Sequence, residues 1–409
     1  MLPLLTALAA SGTIYGVSMS STLVSIDLTS GKMTALGVSA PEELYAQELS
    51  AIDSSRGRYY TAGVNATTHK VNLCVWSLKG GYKVTCRDLP FESSVFVGTG
   101  QALNVDPNDG TIIVMGHDPT RGGHHAIYTL DPDTFKPTFV ADIGGDMHFD
   151  MLGASTTYDH DEKTVYVITS YNGTNPSSLK ANVKGPPPPA PKVNISFSAI
   201  ELTTGKVTNL TKDLIMGGFV YDSKTKRVYG THVTQSNGES VDARDAAVWR
   251  GRNGKKTALN PNGLTRKLAY FETKKRDQLH SVTPLDLSMA VGDVHFFDKA
   301  NRVHYTLLLG KGNSSNPYTH TDYCSKHGNE CPTGSACCKD PQSKIDYGYC
   351  YSVDDCSKIP AGGDPLKVPA YAVGVNLDSG TAVVSAPLCS LEPGPDTSPN
   401  RCPWSIEAA

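Results

Sequence analysis

An aspartate followed seven residues later by an aromatic or branched apolar residue recurs five times along this chain. The copies are Asp53/Tyr60, Asp106/Ile113, Asp159/Tyr166, Asp222/Tyr229 and Asp298/Tyr305. Each stands in a frame such as GFVYDSKTKRVYGTH (218–232): an apolar run, a short polar turn, a second apolar run. A second hairpin of the kind FSAIELTTGKVTNL (197–210) follows. Self-similarity of this size means that one supersecondary unit is being stacked.

The frame predicts four strands per unit. Strand A ends at the Asp, strand B begins near the Tyr, strand C carries the alternating SAIEL-like pattern, and strand D follows a turn. Period-two alternation bounded by Gly, Asn, Asp and Lys is the hairpin signature. The C–D hairpin is expected six times, at 25–36, 75–86, 127–140, 199–210, 248–259 and 373–384. A degenerate first hairpin, LTALAASGTIYGVS (5–18), has Tyr15 in the aromatic place and no Asp. Six four-stranded units with no helical pattern predict an all-β chain, a six-bladed β-propeller whose radial repetition leaves only short sheet edges. Blade boundaries are expected near 1–40, 41–95, 96–145, 146–212, 213–290 and 291–388, with a tail over 389–409. The repeat resembles the broad class of secreted six-bladed propellers, lactonase-like and lipoprotein-receptor-like ones among them. That resemblance covers most of the chain and implies a fold, not an activity. The repeated Asp is expected to accept backbone N–H bonds in the A–B turn, and the Tyr and Ile to pack between blades.

A formal net charge of −3 over 409 residues gives no basic field to attract nucleic acid. No apolar run approaches the length of a membrane span. Ten cysteines and five Asn-x-Ser/Thr sequons, at Asn65, Asn172, Asn194, Asn209 and Asn313, point to a secreted or cell-surface protein. MLPLLTALAA reads either as a signal-like apolar stretch or as strand A of blade one, and the strand reading is favoured.

Cys74 and Cys86 are symmetric about Gly80, which predicts a cross-strand disulfide in blade two. Cys389 and Cys402 are left to pin the C-terminal end. The remaining six, Cys324, Cys331, Cys337, Cys338, Cys350 and Cys356, have a spacing with an adjacent pair in the middle that resembles the knottin (inhibitor cystine-knot) class. The resemblance spans 321–358 and implies the pairing Cys324–Cys338, Cys331–Cys350 and Cys337–Cys356. So short a segment cannot bury a core and needs cross-links. A zinc site is the rival reading, without C-x2-C pairs to support it. Knottins include toxins and protease inhibitors, but a rigid surface projection is the simpler role.

The insertions are expected on one face. The B–C connections read as 116–125 in blade three, 171–193 with four consecutive prolines in blade four, 231–247 in blade five and about 311–370, with the cysteine block, in blade six. Long D–A connections at 140–152 and 260–290 open on the same face. Function concentrates on elaborated loops carried by a rigid scaffold. Asn65, Asn172 and Asn313 fall there as well.

Five positions before each repeat Asp stand Glu48, Gln101, Ala154, Gly217 and Asp293, which should line the channel; Asp146, His148 and Asp150 lie just before strand A of blade three. Glu48, Gln101, Asp150 and Asp293 are therefore the candidate ligands for a divalent cation such as Ca²⁺. Glu48, Asp150 and Asp293 are also candidate acid–base residues; a polar, water-filled channel is the competing reading. Lactonase-like propellers hold a divalent metal at this place. The histidines of blade three, His117, His124, His125 and His148, read as solvated loop residues, with His160 on the opposite face. No Gly-x-Ser-x-Gly elbow, His-Glu-x-x-His, Walker loop or dinucleotide fingerprint is present. The sequence thus points to an extracellular interaction or assembly module, for a filament, coat or matrix, that engages a protein, another copy of itself or a glycan. The alternative is a cation-dependent hydrolase or lyase.

Overall fold

In the computed structural model, residues 13–18, 21–41, 44–65, 67–68, 70–92, 103–118, 124–144, 155–172, 193–211, 216–235, 264–282, 290–309, 320–325, 336–339, 347–351, 368–391 and 405–408 are described. They form six four-stranded antiparallel sheets and one small three-stranded sheet, and no helix occurs among them. Blade two is Leu44–Asp53, Arg58–Asn65, Lys70–Ser77 and Lys83–Glu92. Blade three is Leu103–Val105, Ile112–Asp118, His124–Leu130 and Pro137–Gly144. Blade four is Ser155–Asp159, Thr164–Asn172, Val193–Glu201 and Val207–Thr211. Blade five is Met216–Asp222, Arg227–Gln235, Leu264–Glu272 and Lys275–Ser281. Blade six is Ala290–Asp298, Val303–Leu309, Val368–Asn376 and Ala382–Leu391.

Blade one corrects the expectation for the N-terminus. Its outer strands are Ile14–Val17, Thr22–Ile26 and Met33–Ser39, but its innermost strand is Ser405–Ala408, paired antiparallel as Ile14↔Ala408 to Val17↔Ser405. The end of the expected C-terminal tail therefore stitches the last blade to the first. Residues 1–9, expected as that strand, lie outside the described residues. The physical reason was visible: the first copy of the repeat lacks its Asp because blade one has no A–B turn to cap. The innermost strands pack in a closed ring, with Ser405–Ala408 between those of blades six and two.

Blade five holds a second correction. Its C–D hairpin is Leu264–Glu272 with Lys275–Ser281, not 248–259, which lies outside the described residues. The strand that wins pairs in unbroken register with Arg227–Gln235 and buries Leu268, Ala269 and Phe271. The Gly-Lys step at 254–255 imitated the turn seen in other blades, whereas the true turn is Thr273-Lys274. The connections shift accordingly: the B–C links run over 119–123, 173–192, 236–263 and 310–367, and the D–A links over 145–154 and 282–289.

The core lies between blades. Between blades one and two, Tyr15, Val17 and Leu23 pack on Tyr59, Cys74 and Trp76. Between four and five, Tyr166 and Phe197 meet Phe271 edge-on at 5.6 and 5.1 Å. Between six and one, Ile14, Val24 and Ile26 join Phe296, Val303 and Tyr305. The repeat residues Tyr60, Ile113, Tyr166, Tyr229 and Tyr305 are all at most 2 % exposed, as interblade packing requires. Cys74 and Cys86 are direct cross-strand partners joined by a disulfide, Cα–Cα 4.0 Å. In the cysteine-rich insert, His320–Ser325, Tyr347–Tyr351 and Ala336–Lys339 form a sheet with Tyr347–Tyr351 central. Its cysteine side chains, and those of Cys389 and Cys402, lie outside the described residues, and with them the pairings expected there.

Candidate functional site: the two mouths of the central channel

Each repeat Asp closes its A–B turn. Its carboxylate accepts a backbone N–H from Arg56 (3.0 Å), Asn108 (2.9 Å), Asp161 (3.0 Å), Lys224 (3.2 Å) or Asn301 (3.0 Å). The residue four past the Asp adopts a left-handed backbone in every copy: Gly57, Gly110, Lys163, Lys226 and Arg302, with φ between 47° and 82°. Two copies use Gly, which carries no steric cost there. The other three use a cation, and in each the side chain reaches back to the preceding blade. Lys163 approaches Asp106 at 3.7 Å and Asp109 at 3.8 Å, Lys226 pairs with Asp161, and Arg302 grips Asp222 at 2.6 and 2.9 Å. Tyr158 donates to Asp106 at 2.7 Å and Tyr221 to Asp161 at 3.1 Å. The carboxylates of the A–B turns therefore fasten each turn and tie neighbouring blades together.

Burial would raise the Asp222 carboxyl. Hydrogen bonds from Arg302 and Thr225, with the guanidinium charge, overcome that and hold it below the usual carboxylate range. Arg302 is in turn held even more firmly protonated by Asp222 and Asp378. Burial, and then the neighbouring aspartates, push the Tyr158 and Tyr221 phenols far up, so both remain hydrogen-bond donors.

This tied ring surrounds a cavity of about 260 Å³ where the channel opens between the A–B turns. Ser50 and Ile52 come from blade two, Leu103 and Asn104 from blade three, and Thr157, Tyr158 and His160 from blade four. Phe219, Tyr221 and Lys224 come from blade five, and Phe296, Lys299 and Arg302 from blade six. The sequence placed His160 on this face but gave no reason to look here, because the turns are short. The signal was available: three of five repeats carry a cation where Gly would be easiest.

At the opposite mouth, Glu48 and Asp293 lie on the innermost strands of blades two and six, which flank Ser405–Ala408. Both fall within irregular register, between Tyr45 and Leu49 and between Ala290 and His295. Gln101 and Asp150 lie outside the described residues, as do Asp146 and His148. The ladder pairs His117 with His125, and His124 with Asp118, on strands that reach into both ends of the segment expected as a loop. Among the described residues no group of three His, Cys, Asp or Glu is arranged to hold a metal. No helix among them is long and apolar enough to cross a membrane.

No protein-family model and no curated protein matches this sequence. Solved structures do show likeness. TolB from Acinetobacter baumannii is 10 % identical over 98 % of this chain and 67 % of its own, with a TM-score of 0.48. The β-propeller domain of the Trilobed protease from Pyrococcus furiosus is 10 % identical over 71 % of each chain, with a TM-score of 0.37. Hydrazine synthase of Kuenenia stuttgartiensis is 15 % identical over 75 % of this chain and 76 % of its own, with a TM-score of 0.41. The six-bladed ring itself rests on the strand pairing above.

Proposed function

We propose that this protein is a secreted, N-glycosylated propeller that acts as an extracellular interaction or assembly module through its B–C/D–A face. The observation that carries the reading is the asymmetry of the connections. A–B turns such as 54–57, 160–163 and 223–226 have four residues each, while the B–C links 173–192, 236–263 and 310–367 are long. Scaffolds that serve binding put their variable length on one face. The Cys74–Cys86 disulfide supports an oxidising compartment. The sequon at Asn209 is exposed on an outer strand, and that at Asn65 is half-buried at the B–C end of blade two. A knottin-like projection from blade six, braced by the cysteine pairing set out above, suits a protein-binding role. The test is size and cross-linking: the glycosylated chain from a secretory host should form multimers or capture a protein from its native surface. A strictly monomeric chain without partners, or one lacking glycan at every sequon, would sink the reading.

One observation supports a second reading, a divalent-cation-dependent hydrolase or lyase that uses Glu48, Asp150 and Asp293. Glu48 and Asp293 both sit in strand irregularities, which re-aim side chains and are common beside active sites. This reading expects Ca²⁺ or a similar ion in the purified protein, lost in Glu48→Ala and Asp293→Ala. Metal-free protein with no change in either variant removes it.

A further inference from the structure

Each blade ends in an outermost strand with a free edge. Such an edge templates pairing with another chain, and proteins blunt it with proline, lysine, other charges or a bulge. Pro90 stands in the outermost strand of blade two, Pro137 in that of blade three, Lys275 in that of blade five and Pro387 in that of blade six. In blade one, Gly37 at φ 74° stands where the register with Thr22–Ile26 shifts. The outermost strand of blade four, Val207–Thr211, has no charge, proline or glycine. Its register slips at Leu210, between Ser198↔Asn209 and Phe197↔Thr211, which leaves Val207 to Asn209 as regular, unguarded edge. Val207 is 38 % exposed, one of two large apolar side chains so exposed among the described residues. The same strand carries the sequon Asn209-Leu210-Thr211. Asn209 is exposed, and its Oδ1 accepts the Ser198 hydroxyl at 2.9 Å, which leaves its Nδ2 open. Asn65, by contrast, is half-buried and spends its Nδ2 on Asp88 at 3.1 Å.

We propose that an N-linked glycan on Asn209 guards the edge of blade four, in the place that proline or lysine holds on other blades. The Asn209 Nδ2 displaces the diphosphate of a lipid-linked oligosaccharide. The N–C1 bond forms, the C1–O bond breaks, the lipid diphosphate leaves and the amide gives up one proton. The product is a bulky, hydrated group in the middle of a five-residue strand. It keeps a second strand from reaching the spacing of about 4.8 Å that pairing needs. The inference rests on the secreted, glycosylated reading above, but not on the role given there to the loop face.

The experiment uses the full chain from a secretory host, with glycan occupancy read by peptide mass spectrometry and loss of soluble protein followed under agitation. Asn209 should be occupied. Asn209→Gln and Thr211→Ala both remove the sequon, and the second keeps the Asn209 side chain and its bond from Ser198. Both should aggregate about threefold faster than the wild type, as an unguarded edge does. Asn209→Lys should restore the wild-type rate, although it moves the net charge of −3 toward zero and so works against general solubility. Asn172→Gln, which removes a sequon at the B–C end of blade four, should not speed aggregation. An Asn209 that is bare while other sequons are occupied overturns the inference and leaves the loop-face reading standing. It is also overturned if Thr211→Ala stays as soluble as the wild type, if Asn209→Lys aggregates like Asn209→Gln, or if Asn172→Gln has the same effect.

Discussion

Arg302 places a guanidinium in a left-handed backbone position and locks both oxygens of Asp222 across the seam between blades five and six. The Arg302 side chain is 10 % exposed and that of Asp222 3 %. Removing one partner leaves an uncompensated buried charge, so Arg302→Ala should cost about 3–5 kcal/mol in denaturant unfolding. Lys226→Ala, which breaks a half-exposed pair, should cost under about 1 kcal/mol. Because the carboxyl of Asp222 is held below its unfolded value, its contribution is complete above the unfolded pKa. It is lost as pH falls through the lower folded one, which makes the Asp222–Arg302 contact an acid-sensitive one. Glycines divide in the same way. Gly218 has φ +62°, and a Cβ there would meet the His295 ring at 1.8 Å, whereas Gly80, at φ +74°, faces open space. Gly80→Ala should cost roughly 1 kcal/mol for its backbone alone, and Gly218→Ala clearly more, as read from shifts in the unfolding midpoint.

Among elements, the seam between blades five and six is chemically distinct. The rings of His295 and His304 lie 5.3 Å apart, both at most 3 % exposed, beside the backbone of Gly218. Burial depresses His304 to about 4. Between the unfolded value near 6.5 and that folded value the unfolded chain binds more protons. Stability is therefore full above pH 6.5 and falls by about 3 kcal/mol as pH drops to 4. Urea unfolding from pH 7.5 to 4.5 should show that slope in the wild type and a shallower one in His304→Gln; equal slopes would refute it. The closing strand is the other decisive element. Deleting 405–409 removes the ladder that, among the described residues, joins the two ends of the ring, so the truncated chain should melt lower and be cut by protease near blade one, measured by thermal scan and limited proteolysis. That strand was illegible in the sequence, because four residues, Ser405 to Ala408, carry no pattern, and their partner Ile14–Val17 stands almost the whole chain away. The hairpin of blade five was misplaced for a related reason. Turn chemistry is local, but the choice between two hairpins depended on which segment could bury Leu268 and Phe271 against neighbours.

For the molecule as a whole, the ring is asymmetric. One face carries short turns laced by Tyr158, Lys163, Tyr221, Lys226 and Arg302 to the blade before; the other carries the long links. A scaffold fastened at one rim and elaborated at the other lets loops change without loosening the blades. The sequence by itself determined the repeat, the strand order within a blade, the Asx-capped turns, the interblade aromatics and the Cys74–Cys86 bridge. All of these depend on residues within one hairpin or one repeat, where spacing fixes geometry. Only the tertiary structure decided how the ring closes and which cations reach which carboxylates. Those facts join residues from different blades, and a linear pattern does not encode which atoms a closed ring will bring together.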